Sequence, residues 1–198
     1  MLIERESESP SPERVWQMSV AQYHAMIQAG ILTEEDPVEF LEGRIIEKMP
    51  KNPLHSAVTT ILFAVLEALL PDGWFIRSQE PITTEDSEPE PDIAIVQGDM
   101  TDYFYAHPQP EQVGILIEVS DSTLSQDRAS KMRIYARAGI QTYWIVNLQE
   151  MQVEVYAAPT ENEDYNQTST FLIGDTIPVK LKNQNLGTIS VADLFPTK

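Results

Sequence analysis

Leu116 to Lys131 reads LIEVSDSTLSQDRASK, and about twenty residues before it Pro91 to Val96 reads PDIAIV. Both open as the apolar, β-branched runs of buried strands, yet Glu118 sits in one and Asp92 in the other. An unpaired ionised carboxylate in an apolar interior costs several kcal/mol, roughly, even after relaxation. Each acid therefore requires a cation, a set of hydrogen bonds or a pocket. Strand alternation puts Leu116, Glu118 and Ser120 on one face and Ile115, Ile117 and Val119 on the other, and groups Asp92 with Ala94 and Val96. Asp92 begins its strand and Glu118 falls near the end of its own. Antiparallel neighbouring strands would bring the two acids to one sheet end. Carboxylates so placed repel unless a cation or a shared proton lies between them. A divalent metal is the economical solution, and Mg²⁺ in particular is commonly held by one or two carboxylates with waters and phosphates.

A helix expected from about Ser125 to Ala138, stopped by Gly139, supplies the next element. Its stripe of Leu124, Asp127 or Arg128, Lys131, Ile134 or Tyr135, and Ala138 sets Lys131 on the face that packs on the sheet. A lysine there has two readings. It pairs with Asp127 four residues earlier and snorkels to solvent, or its ammonium reaches over the sheet end to the two acids. Arg133 and Arg137 follow on the same helix, where a solvated charged face is the plain expectation.

Outward from this centre, SVAQYHAMIQAGIL reads as a short helix capped by Ser19 and stopped by Gly30, and VEFLEGRIIEKMP as a hairpin about Glu42-Gly43. HSAVTTILFAVLEALL, apolar nearly all round, reads as a long buried helix closed by Pro71-Asp72-Gly73. WFIRSQEPI alternates like a strand, TTEDSEPEP is an acidic loop, and QGDMTDYFYAHPQPEQ is a polar and aromatic loop. QTYWIVN and MQVEVYAA are strands around the turn LQE, with short strands near STFLIG and TIPVK and a last helical turn at SVADLF. This order predicts an α/β protein of the mixed kind: a central mixed β-sheet flanked by helices on both faces, preceded by a helix and a hairpin. Residues 1–15 read as a mobile acidic tail and 16–198 as a single domain. No Gly-rich nucleotide fingerprint or Walker loop is present.

Composition narrows the function classes. The absence of cysteine excludes a disulfide framework, a thiolate metal site and a cysteine nucleophile. No stretch has the length of apolar residues that crosses a bilayer, and the first residues carry acids where a signal peptide is apolar, so a soluble, cytoplasmic protein is expected. The formal charge of −18 argues against a polynucleotide ligand, since phosphate binders carry a basic footprint. The charge is uneven, however: residues 111–140 hold four acids and four bases, so this block is neutral while the remainder carries the excess.

Pro91-Asp92, then Glu118-Val119-Ser120, then Lys131 on the next helix resembles the PD-(D/E)XK nuclease superfamily, in the variant whose lysine has migrated from strand to helix. The frame of VEFLEGRIIEKMP, RSQEPI, EPDIAIV, IEVSDST, DRASKMRIYARAGI and YWIVN is similar to one bacterial family within it, described as putative restriction endonucleases, over roughly Trp16 to Tyr156. The resemblance implies a restriction endonuclease-like core and hydrolysis of phosphodiester bonds of nucleic acid, DNA foremost, by a metal-activated water. By position it implies Asp92 and Glu118 as ligands of Mg²⁺ or Mn²⁺ and Lys131 as the catalytic lysine. Ser120 stands where the strand lysine of the motif would be, so the assignment of Lys131 depends on the helix turning it inward.

Supporting candidates are weaker. Gln79 on the preceding strand can bond a metal-bound water or be an ordinary edge amide. His55 can contact phosphate or cap the long helix. Glu39 can add a third carboxylate, with a solvent-facing strand residue as the plainer expectation. Asp121 and Asp127 default to capping, and Tyr135 and Trp144 to core packing. A non-catalytic binding or assembly module that keeps the fold is the alternative that the net charge favours, and acid/base chemistry of the glycosidase kind lacks an aromatic-rich cleft. YWIVN and VEVY can pair across subunits of a homodimer or finish the sheet within one chain.

Overall fold

Ser19 opens the first helix, α1 (Val20–Gln28): its hydroxyl accepts the Gln22 N–H while the Gln22 side chain accepts the Ser19 N–H. The computed structural model describes residues 15–182 and 184–195, so the tail expected over residues 1–15 lies, Val15 apart, outside the described residues. Tyr23 of α1 stacks on Phe40 of the hairpin β1 (Val38–Leu41) and β2 (Arg44–Glu47), with ring centroids 4.7 Å apart. The hairpin turns on Glu42 and Gly43, both left-handed at φ 48° and 74°. Such a turn ordinarily uses Asn-Gly or Asp-Gly, and a longer side chain there costs about 1 kcal/mol. The Glu42 carboxylate offsets this by accepting from Arg133 at 2.9 and 2.6 Å and from Arg137 at 3.3 Å. A Cβ on Gly43 would fall 2.7 Å from that of Gln17, which leaves glycine as the residue that fits.

The long apolar run becomes α2 (Pro53–Glu67), begun by Asn52, whose side chain accepts the His55 N–H, with Pro53 in the first turn. His55 is therefore not the cap. The buried stripe of His55, Val58, Thr59, Leu62 and Leu66 follows helical spacing and lies on the sheet.

That sheet runs β3 (Trp74–Arg77), β4 (Ile93–Gln97), β5 (Val113–Ser120), β6 (Thr142–Asn147), β7 (Gln152–Pro159), β8 (Tyr165–Phe171), in this spatial order. All neighbours are antiparallel except β5 and β6. Every residue of β5 is buried, as a strand covered on both faces requires. On one face Ile93, Ile95, Ile115, Ile117 and Trp144 pack with α2, the hairpin β9 (Thr176–Leu181) and β10 (Gln184–Ser190), and the closing turn α5 (Val191–Leu194). On the other, Ala94, Val96, Leu116, Tyr143 and Ile145 pack with Leu41, Ile134 and Tyr135. The architecture is the mixed sheet with helices on both faces that the order of elements predicts.

Two details depart from expectation, and a third decides between two open readings. β3 ends at Arg77, so Gln79 lies past the strand, exposed and left-handed at φ 59°, rather than on it. β10 was not expected in the polar QNLGTIS, which pairs with β9 around an irregularity at Asn185 and Gly187. YWIVN and VEVY belong to β6 and β7, each flanked on both sides, so they finish the sheet within the chain and are not free to join subunits; the sheet edges are β3 and β8.

Glu154 of β7, only 4% exposed, accepts from Arg128 Nε at 3.0 Å and from Tyr156 at 2.6 Å. Burial alone would raise its pKa, but Arg128, Tyr156 and Asn147 reverse the effect and hold it at about 2. A depressed carboxylate adds stability above its unfolded value and loses it as pH falls through the folded one. Acid melts of the wild type should therefore lose stability between about pH 4.5 and 2, and Glu154→Gln should flatten that interval, as read by thermal denaturation at pH 3 and 6.

Candidate active site

β4 and β5 are antiparallel, with Ile93 opposite Ile117, so the residues flanking that pair, Asp92 and Glu118, lie at one end of the sheet. The Val119 N–H donates to Asp92 Oδ2 at 2.9 Å, fixing the acid to the neighbouring strand. His55 Nε2 bonds the same oxygen at 3.0 Å from the first turn of α2. Asp92 Oδ1 accepts no hydrogen bond among the described residues; Lys51 Nζ lies 3.8 Å away. Burial pulls the Lys51 ammonium below its ordinary pKa, an effect Asp92 opposes.

The crossover from β5 to β6 is not one regular helix. Leu124–Gln126 (α3) is α-helical, Asp127–Lys131 forms a π-helical turn, and Met132–Arg137 (α4) resumes the α-helix. Such turns accommodate an extra residue and recur at functional sites. Asp127 and Lys131 are both buried, but they do not pair as the i, i+4 reading allows. Asp127 Oδ2 accepts from Ser120 and Thr123, each at 2.7 Å, which ties the start of the crossover to the end of β5. Lys131 turns to Glu118: its Nζ donates to Oε1 at 3.0 Å and stands 3.4 Å from Glu39 Oε2. Glu39, expected to face solvent, is buried because the crossover and the lysine cover its strand.

Tyr135, one turn beyond Lys131, donates its hydroxyl to Glu118 Oε1 at 2.7 Å. It is core, as expected, and also a positioning group, a role that sequence reasoning missed. Burial, then Glu118, raises the phenol well above its ordinary pKa, so it remains a donor. Burial pushes Glu118 up to about 8, with Lys131 working against it and Asp127, Asp92 and Glu39 adding to it. Burial also opposes the charge on Lys131, but Glu118, Glu39 and Asp127 outweigh it and raise the ammonium above its ordinary value. Both donors to Glu118 reach Oε1, and Oε2 accepts no hydrogen bond among the described residues.

The other candidates fall into place around this centre. Ser120, fully buried, donates its hydroxyl to Asp127. Gln79 does not line the cleft; its N–H donates to the Pro91 and Asp92 carbonyls at 3.1 and 3.2 Å, so its link to the site is through the main chain. Asp121 accepts from Asn52 at 2.6 Å, joining the β5 end to the start of α2. Together these groups enclose a cleft of about 80 Å³ in which carboxylates outnumber lysines seven to three. Among the described residues, no group of three His, Cys, Asp or Glu forms a metal cage.

A mixed six-stranded sheet with helices on both faces, bearing this cleft at the shared end of β4 and β5, is a restriction endonuclease-like α/β core. The chain belongs to the Uma2 family, described as "putative restriction endonuclease", whose model matches residues 20–191. It is also similar in fold to a solved structure described as a "putative nuclease belonging to DUF820" from Anabaena variabilis. That likeness has a TM-score of 0.64 at 23% identity and covers 84% of this chain and 94% of the other. No curated protein matches the chain.

Proposed function

We propose that the protein is a nuclease that hydrolyses phosphodiester bonds of nucleic acid, DNA foremost, with Mg²⁺ or Mn²⁺ held by Asp92 and Glu118. The observation that carries this reading is a pair of carboxylates lining one acidic cleft beside a buried lysine, each with one oxygen, Asp92 Oδ1 and Glu118 Oε2, that accepts no hydrogen bond among the described residues. Hard oxygen donors of this number suit Mg²⁺ or Mn²⁺, which complete their shells with water and substrate oxygens instead of a protein cage. The bound cation would lower the pKa of a water and polarise the scissile phosphate.

The chain's own residues do the rest. His55 and the Val119 amide hold Asp92 by one oxygen and leave the other without a hydrogen bond among the described residues. Tyr135 and Lys131 do the same for Glu118. An ammonium has three donors, and the two carboxylates beside Lys131 leave at least one to orient the attacking water or meet charge developing on the phosphate. The excess of acids in the cleft makes it repel a polyanion until cations enter. This reconciles a nucleic acid substrate with a chain of charge −18.

The test is Mn²⁺ binding by the wild type and by Asp92→Asn, Glu118→Gln, with circular dichroism to establish that both are folded. Binding by the wild type that the folded variant loses is the expected result. Equal binding, or none in either, would leave a non-catalytic module of the same fold as the better account.

A further inference from the structure

Lys51 lines the cleft from the segment between β2 and α2, and the two-carboxylate reading makes no use of it. Its side chain is 40% exposed, and its Nζ stands 3.8 Å from Asp92 Oδ1, a loose ion pair too long for a hydrogen bond. The other bases nearby are committed. Lys131 is enclosed by Glu118 and Glu39, and Lys48 donates to Glu90 at 2.7 Å. Arg128 grips Glu154, while Arg133 and Arg137 grip Glu42 and Asp86. Among the cleft's three lysines, Lys51 is the one that can leave its partner at little cost. A divalent ion beside Asp92 and an ammonium at the same oxygen repel each other. The flexible four-carbon stem lets the ammonium be the one to move.

We infer that Lys51 is the phosphate-binding lysine of this site: it neutralises Asp92 Oδ1 in the metal-free protein, yields that oxygen to the cation, and then contacts a non-bridging phosphodiester oxygen. The inference rests on the nuclease reading above and adds a substrate contact to it. It requires Lys51 to act in opposite senses on two ligands, against the metal and for the diester. A lysine that merely braces the β2–α2 segment would not produce that split.

The experiment uses the full chain as wild type, Lys51→Gln and Lys51→Arg. Mn²⁺ affinity is measured by titration, and binding of a fluorescein-labelled oligothymidylate by anisotropy at saturating Mn²⁺ over a range of salt. Lys51→Gln should bind Mn²⁺ about three- to tenfold more tightly, as expected from removing a partly screened like charge. It should bind the oligonucleotide about tenfold more weakly. Its salt dependence should flatten by about 0.7 in the log–log slope, the signature of one lost phosphate contact on a single strand. Lys51→Arg should restore oligonucleotide binding. Unchanged or weakened Mn²⁺ affinity in Lys51→Gln, an unchanged salt slope, or failure of every form to bind the oligonucleotide with Mn²⁺ in place would overturn the role of Lys51 and leave the metal site standing. Failure of the wild type to bind Mn²⁺ would overturn both.

Discussion

Lys131→Met should lower stability by about 3 kcal/mol and Mn²⁺-supported phosphodiester hydrolysis by at least about a hundredfold, the largest single-residue effect expected in this molecule. The stability loss comes from what remains. With the ammonium gone, Glu118 and Glu39, each about 4% exposed, are left in the same buried volume with no cation between them. Glu118, which Lys131 draws toward its charged form, then holds its proton more firmly, and the Glu39 carboxylate is left without its counter-charge. Double substitution separates this cost from lost packing: Lys131→Met combined with Glu39→Gln should recover part of the stability, because the second change removes the carboxylate left without a counter-charge. It should recover none of the hydrolysis, because the ammonium proposed to meet the water or phosphate is still absent. Denaturant melts and a diester assay read the two separately. A single variant as stable as the wild type would mean that Lys131 is not the counter-charge of this cluster.

Metal affinity should rise steeply with pH. Glu118 is pushed up to about 8 in the metal-free fold, from an ordinary value of 4.5, so between those values the native state holds a proton that the unfolded chain has released. Two consequences follow from the same sign. Without metal, this group makes the fold lose stability as pH rises from about 4.5 to 8. With metal, the ion competes against the proton on Glu118, and Mn²⁺ affinity should increase by about an order of magnitude or more from pH 6 to pH 8 and then level. Calorimetry in buffers of different ionisation enthalpy should count close to one proton released per Mn²⁺ at pH 7. Glu118→Gln should abolish the release. A flat affinity profile would place the metal away from this carboxylate.

Much of this centre is legible in the chain because its key residues are local in register. The PDIAIV and LIEVS runs identify themselves as strands by their β-branched apolar content, and one antiparallel pairing then brings Asp92 to Glu118. Helical spacing places Lys131 on the inner face without knowledge of what it meets. What sequence does not reveal are partners remote along the chain. Glu39 reads as a surface strand residue until the crossover covers it, 92 positions later. Arg133 and Arg137 read as a solvated face, yet they grip Glu42, which is 91 and 95 positions away. Tyr135 reads as core because nothing in its neighbourhood announces a buried acceptor. The π-helical turn has no compositional mark at all, since Asp127 to Lys131 would serve equally well in an α-helix.

The single parallel pair in the sheet, β5 with β6, has a topological consequence for the lysine. Two parallel neighbours cannot be joined by a tight turn; the chain must leave the far end of one and travel back to the near end of the next, as it does here through α3 and α4. It must therefore begin its return directly above the end of β5, where Glu118 lies. Any sequence with this winding carries a helical segment past the carboxylates whether or not chemistry is required of it. A cationic side chain can thus be supplied from either of two addresses, the strand or the returning helix, and Ser120 at the first is free to become a structural tie once Lys131 occupies the second.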